Sequence, residues 1–320
     1  MIHYFLKQTN QAVSIIGLLA AFGLTCLFIA RFAHCLPRDA GREFAHDGKL
    51  SAGKPRGAGL IFILVFVASA VIFAPVDLEL VIYLMLVTVE MLTGYLDDAS
   101  EHPWGELKKG LLDLAVAVIL AATYLSFNYN TIQLAIPGIA IEIPPLLFGA
   151  LIVILVWGSV NVTNCADGVD GLSGTLAIIT LATFYVIDHL MGSGDKFNIL
   201  ILMFCVCVLG YLWYNATPSL LMMGDAGSRA MGLFISIAAL KSGSPVLYIP
   251  VAIVLILDGG LGLLKLTLIR VFHIHILKNV RTPLHDHVRK NMGWSNTQTL
   301  FRFAIIQIAV SMAVISLIIL

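Results

Sequence analysis

Residues 145–171 read PLLFGALIVILVWGSVNVTNCADGVDG. Through Val160 the stretch carries no charge and a single hydroxyl, the makeup of a helix that crosses hydrocarbon, which takes roughly 20 apolar residues. The character then changes within one turn. Asn161, Asn164, Asp167 and Asp170 recur at every third position, and Gly168, Gly171 and Gly174 follow the same interval. In a helical or 3₁₀ turn this spacing stacks polar groups along one side. The glycines remove side chains where a ligand or another backbone must come close. Four hydrogen-bonding side chains beside a membrane are costly without partners, so this span ends in a site.

The rest of the chain repeats the first half of that pattern. Of 320 residues, 59% are hydrophobic and 12% charged. A soluble domain carries about a quarter charged residues, so this chain cannot cover itself for water. Ten apolar stretches approach spanning length: about 12–33, 57–76, 78–96, 111–127, 145–161, 172–190, 199–214, 219–240, 245–270 and 301–320. The first is too long for a signal-peptide core and runs into Arg31 without a small-residue cleavage site, so it reads as a retained span. Between spans four and five, Thr131 to Ile143 alternates around Pro137–Gly138 as a small hairpin. No soluble domain and no internal repeat is visible. The expected fold is therefore an all-α polytopic membrane protein of about ten transmembrane helices, forming one domain over residues 1–320.

Charge sets the orientation. The chain has 19 Lys and Arg against 19 Asp and Glu, so bulk charge points to no nucleic-acid partner. Fifteen of the 19 basic residues fall in or beside connections one, three, seven and nine. The positive-inside rule then predicts those connections in the cytoplasm, both termini outside and the hairpin near 131–143 extracellular. Five cysteines, an odd number without ligand spacing, read as reduced, packed thiols.

Three further polar clusters fall on the same predicted side. Asp97 and Asp98 end span three, where adjacent carboxylates repel unless a cation or basic partner is present. Asn215 precedes Met222-Met223-Gly224-Asp225, whose lone carboxylate beside apolar residues suits a hard cation. His285-Asp286-His287 lies among Arg281, Arg289 and Lys290. A helix-end charge, a turn aspartate or a surface loop would explain any one cluster alone. Their convergence on one membrane face predicts phosphoryl transfer, which needs a metal to neutralise pyrophosphate, cations on the transferring group and a positioned nucleophile. The membrane setting predicts that one substrate is a lipid.

At these motifs the chain resembles the polyprenyl-phosphate N-acetylhexosamine-1-phosphate transferase superfamily, and within it the phospho-N-acetylmuramoyl-pentapeptide transferase, or MraY, family. The resemblance runs from about Asp47 to Phe303 and includes the ten-span count. The paired aspartates match Asp97 and Asp98, the asparagine–aspartate–glycine motif matches Asn161 through Gly171, and the metal-ligand aspartate matches Asp225, with Asn215 ahead of it. The basic residue on the fourth span matches Lys109, with Lys108 its neighbour. Pro283-Leu284-His285, Gly293-Trp294 and Arg302-Phe303 carry the subfamily assignment. Two segments depart from the pattern. Asp286 stands where the family has a third histidine, and residues 53–59 match the family's early motif only in part, so Lys49 and Lys54 receive no role.

The resemblance implies a Mg²⁺-dependent reaction in the bacterial cytoplasmic membrane, with the site on the cytoplasmic face. Phospho-MurNAc-pentapeptide would pass from UDP-MurNAc-pentapeptide to undecaprenyl phosphate, giving lipid I and UMP for peptidoglycan, and so for cell shape and division. Asp225 would hold Mg²⁺, and Asp97 or Asp98 would act as base or orient the lipid phosphate. Asn164, Asp167 and Lys109 would contact the nucleotide, with Asn161, Asp170 and Asn215 in the same substrate-binding set. His285 and His287 would shape the sugar-phosphate side, and a homodimer is implied. Two other readings stay open: a relative that uses UDP-N-acetylglucosamine, and a secondary transporter. The second would use Glu90, Asp258 and Lys265 inside apolar runs, with Asp258-Gly259-Gly260 breaking span nine and Asp258 paired with Lys265.

Overall fold

Each of the ten apolar stretches is helical in the computed structural model, which describes residues 1–2, 11–41, 51–102, 104–134, 139–191 and 196–320. Lys7, Arg42, Asp47, Lys49, Pro137 and Gly138 lie outside those residues. The helices are α1 (Gln11–Phe32), α2 (Gly59–Phe73), α3 (Leu78–Asp98), α4 (Glu106–Phe127), α5 (Pro145–Cys165), α6 (Leu172–Met191), α7 (Phe197–Asn215) and α8 (Gly224–Lys241). After them come α9 (Pro245–Val251), α10 (Ile253–Phe272), α11 (Leu284–Met292) and α12 (Asn296–Ile319). Between α4 and α5, β1 (Thr131–Gln133) and β2 (Ala140–Glu142) pair antiparallel with Ile132 opposite Ile141, the predicted hairpin.

By length and apolar content, seven of these helices can cross a bilayer, and α9 with α10 makes an eighth if that bent pair is one span. The difference from ten has two causes. Helix α2 has only 15 residues. Helix α8 has 18 residues and carries three charges, Asp225, Arg229 and Lys241; it is also enclosed by protein, with every residue from Gly224 to Leu240 buried. On the outer faces, large apolar side chains such as Leu19, Ile154 and Met312 are exposed, a surface for lipid rather than water. The chain is an all-α polytopic membrane protein.

Helix α8 organises the bundle, and its composition explains how. Gly224, Ala226, Gly227, Ser228, Ala230 and Gly232 leave it narrow, so neighbouring backbones come close. A Cβ on Gly59 of α2 would lie 2.0 Å from the Gly227 nitrogen, and one on Gly232 would lie 2.6 Å from the Ser159 carbonyl of α5. The Ser159 hydroxyl donates to the Gly232 carbonyl at 2.6 Å across the same contact. Deeper in the bundle Phe234 stacks on Phe204, and Phe66 meets both edge-on. Such pairs add roughly 0.5–1.5 kcal/mol each beyond their buried area.

Span nine is broken, as the Asp258-Gly259-Gly260 run predicts. Helices α9 and α10 meet at 66°, and Ile256–Gly260 forms a π-helical turn. Such turns come from a local insertion in the helical ladder. The predicted Asp258–Lys265 pair is not formed. Lys265 Nζ donates instead to the carbonyls of Leu277 and Val280, because the turn points Asp258 to the other side, towards His285. All five cysteines are free, and Cys35 is exposed rather than packed.

Candidate active site

Three helix ends and one short extended segment build a charged cluster. Asp97 and Asp98 close α3, Lys109 lies in the first turn of α4, and Asp225 is the second residue of α8. The extended segment carries Arg56. It is fixed beside residues 222–223 by main-chain bonds: Met222 N–H to the Pro55 carbonyl at 2.9 Å, and Ala58 N–H to the Met222 carbonyl at 3.0 Å. Gly224 makes this approach feasible. Its φ is +68°, and a Cβ there would lie 2.2 Å from Asp98 Oδ2.

Asp225 sits between two cations. Its Oδ2 lies 3.2 Å from Lys109 Nζ and its Oδ1 lies 3.2 Å from an Arg56 guanidinium nitrogen. Asp97 and Asp98 diverge, as neighbours on a helix must, and each takes one of these cations. Asp97 pairs with Lys109 and accepts the Trp104 N–H at 2.7 Å. Asp98 lies 2.9 Å from Arg56 Nε and accepts the Ala226 N–H at the start of α8, where the helix dipole favours an anion. Asp39 adds a fourth carboxylate at 3.6 Å from Arg56. Burial disfavours the Arg56 charge, but the carboxylates of Asp98, Asp225, Asp39 and Asp167 outweigh it and raise its pKa above the ordinary arginine value. The carboxylates are nearly buried while Lys109 and Arg56 keep about a quarter and a fifth of their side chains exposed. The cations are therefore the more accessible members of the cluster.

The second motif ends beside this cluster. Asn164 accepts the Ser228 hydroxyl at 2.8 Å, three residues after Asp225, and Asp167 accepts the Ser173 hydroxyl at 2.6 Å. Other members are engaged by backbone. Asn215 accepts the Gly171 N–H and donates to the Leu221 carbonyl, both at 2.8 Å, and Asp170 accepts the Ser219 N–H at 3.1 Å. They tie the Asp170–Gly171 turn to the segment that leads into Asp225. Asn161 sits deeper and donates to Asp113 at 3.1 Å. His285 is buried against Gly168, whereas His287 accepts the Arg281 N–H at 3.3 Å through Nδ1. Asp286 pairs with Arg289 at 2.9 Å.

Sequence reasoning left out Arg56 and Asp39 of this cluster. It also missed the ion triad below it, in which Arg229 bonds Glu90 at 3.1 Å and contacts Asp113. The available signal was charge inside apolar runs.

One substitution probes the geometry. Gly94 on α3 faces Asp225 itself, and a Cβ there would lie 2.4 Å from the Asp225 carbonyl. Gly94→Ala is expected to destabilise by about 1–3 kcal/mol through overpacking. A shift of ~1 Å in a reacting group costs about a hundredfold in rate, so turnover should fall by that order while the protein still purifies folded. Equal turnover in both proteins would separate Asp225 from the chemistry.

The fold and this cluster define a class: a polytopic membrane protein in which three helix ends and one extended segment bring paired acids, a lysine and an arginine together. Comparison with known proteins narrows it. Residues 80–243, about half of the chain, match glycosyl transferase family 4. The phospho-N-acetylmuramoyl-pentapeptide-transferase of Treponema pallidum (strain Nichols) is 40% identical over 94% of this chain and 88% of its own length. Proteins of the same name from Symbiobacterium thermophilum and Rubrobacter xylanophilus are 31% and 28% identical, over 82% and 93% of this chain and 81% and 94% of theirs. The chain belongs to the phospho-N-acetylmuramoyl-pentapeptide-transferase family of membrane transferases.

Proposed function

We propose that the chain transfers phospho-MurNAc-pentapeptide from UDP-MurNAc-pentapeptide to undecaprenyl phosphate, with lipid I and UMP as products. The observation that carries this is Asp225 lying between Lys109 and Arg56, with Asp97 and Asp98 behind them. A pyrophosphate brings several negative charges. Two partly exposed cations on one face can take them, and the nearly buried acids hold those cations in place. An oxygen of the lipid phosphate attacks the sugar-bearing phosphorus, the bond from that phosphorus to the bridging oxygen breaks, and UMP leaves. Asp97 or Asp98 orients the attacking phosphate or takes its proton. Asn164 and Asp167 contact the nucleotide, and His285 lies on the sugar-phosphate side. We place this site on the cytoplasmic face of the bacterial inner membrane, where the basic connections fall.

The donor set suits Mg²⁺. Its carboxylates are hard oxygen donors, and Mg²⁺ is commonly held by one or two carboxylates together with water and substrate phosphate. It does not need a cage of three or more protein side chains, and none is formed among the described residues. Asp225 would hold the ion, which when bound neutralises charge on the pyrophosphate.

The test is UMP release by detergent-purified protein given UDP-MurNAc-pentapeptide, with and without undecaprenyl phosphate and Mg²⁺. Release that needs both supports the proposal. Release only from UDP-N-acetylglucosamine would move the chain to a different donor. Solute movement across sealed vesicles without nucleotide release would replace the reading with a transporter.

A further inference from the structure

The π-helical turn of α10 places a carboxylate where no site motif predicts one. Asp258 is fully buried, and Gly259 beside it lies so close to α5 that a Cβ would be 2.1 Å from the Val162 carbonyl. That contact seats Asp258 beside the first half of the Asn161–Gly171 motif. Its carboxylate makes two bonds to one residue. Oδ1 accepts the His285 main-chain N–H at 2.7 Å, and the imidazole Nδ1 lies 2.9 Å from Oδ2. The first bond satisfies an N–H in the opening turn of α11, whose own N-cap, Pro283, offers no side-chain acceptor. The second fixes the ring. A carboxylate only accepts, so the shared proton sits on Nδ1 and Nε2 is the ring nitrogen left without it.

Nε2 has a defined destination. A Cβ on Gly168 would lie 2.3 Å from it, so the ring edge rests on the Asp167–Gly168 turn with no side chain between them. Asp167 in turn acts on the charge of Arg56, which contacts Asp98 and Asp225. Asp258 therefore reaches, through His285, the motif that lies beside the charged cluster.

We propose that Asp258 is a positioning residue: it holds His285 with the proton on Nδ1, so that Nε2 is the ring atom set against the Asp167–Gly168 turn, beside which the nucleotide-sugar is proposed to bind. Carboxylates behind a functional imidazole fix its tautomer and orientation in just this way, and their loss commonly costs about 10–100-fold in activity. Asp258 does not touch the substrate. The inference rests on the proposed transferase reaction for its kinetic arm, and its spectroscopic arm is independent of turnover.

Asp258→Asn is the informative change, because asparagine keeps the shape and one acceptor but turns an amide N–H₂ towards the ring. The proton should then move from Nδ1 to Nε2. In full-length protein labelled with ¹⁵N-histidine, the His285 signals are those missing from the His285→Ala variant. Nδ1 is expected to carry a proton in the parent and to lose it in Asp258→Asn; an unchanged Nδ1 signal overturns the proposal. In UMP release, Asp258→Asn should lower kcat about 10–100-fold. In the His285→Ala background the same change should alter kcat by less than about twofold, since the two residues act as one unit. Equal losses in both backgrounds would show that Asp258 only holds α10 to α11. If Asp258→Asn proves too unstable to assay, His285→Gln leaves Asp258 and its main-chain bond in place while removing Nδ1. A kcat unchanged in that variant overturns the proposal as well. A parent that releases no UMP sinks the transferase reading and leaves the ring signal to decide the role of Asp258.

Discussion

Asp225→Ala is expected to lower UMP release by at least about 10³-fold, with the unfolding temperature close to that of the parent. The rate estimate follows from charge. Asp225 is the carboxylate that contacts both Lys109 and Arg56, and in the proposed reaction it holds Mg²⁺ on the pyrophosphate. Losing roughly 4 kcal/mol of transition-state stabilisation corresponds to that factor. The stability estimate follows from the partners left behind. Lys109 keeps Asp97, Arg56 keeps Asp98 and Asp39, and both cations reach solvent. No buried charge is stranded, so the usual penalty for breaking a buried pair does not apply in full. Asp225→Asn separates charge from shape and should be nearly as inactive. Raising Mg²⁺ should rescue neither variant. Turnover within tenfold of the parent, with the metal requirement intact, would remove Asp225 from the metal site.

The features that proved legible in the sequence were local ones. A run such as Pro145–Val160 declares a helix because its composition has no other stable use in a bilayer. The hairpin around 131–143 followed from alternation and a turn signal, and β1 and β2 pair as expected. Residues of the charged cluster could be found because they stand at the ends of apolar runs, where charge is conspicuous. Partners were another matter. Arg56 reaches Asp225 across 169 positions, and nothing local separates it from Lys54, whose Nζ donates to the Ser219 hydroxyl. Proximity in sequence points Asp258 to Lys265, seven residues on, whereas its partner is 27 residues away beyond a turn of the chain. The apolar fraction of helix α8 resembles that of an ordinary span. Only the glycine contacts from α2, α3 and α5 reveal that its neighbours are protein backbones. A pattern of small residues permits such contacts without saying which helix makes them.

The second large effect concerns stability. Arg229→Met is expected to cost about 3–5 kcal/mol, because it leaves Glu90 and Asp113 buried without a cation. All three side chains are at most 2% exposed, so water cannot compensate them. The triad joins the same helices as the charged cluster: Glu90 lies on α3, Asp113 on α4 one turn after Lys109, and Arg229 on α8 one turn after Asp225. Its bonding is incomplete, since Glu90 Oε2 has no hydrogen-bond partner among the described residues. An imperfectly satisfied buried triad is the kind that apolar side chains replace without loss. The combined variant Glu90→Leu, Asp113→Val, Arg229→Met should therefore recover the stability lost in the single one, or exceed the parent by up to about 4 kcal/mol. Cys205 and Cys207, both buried on α7, allow the measurement: heating in detergent with a thiol reagent reads the unfolding midpoint once the exposed Cys35 and the half-buried Cys26 and Cys165 have reacted or been replaced by alanine. A single variant as stable as the parent would mean that the two acids are neutral without Arg229. A combined variant no better than the single one would mean that the triad contributes net attraction, and that α3, α4 and α8 owe their register to it.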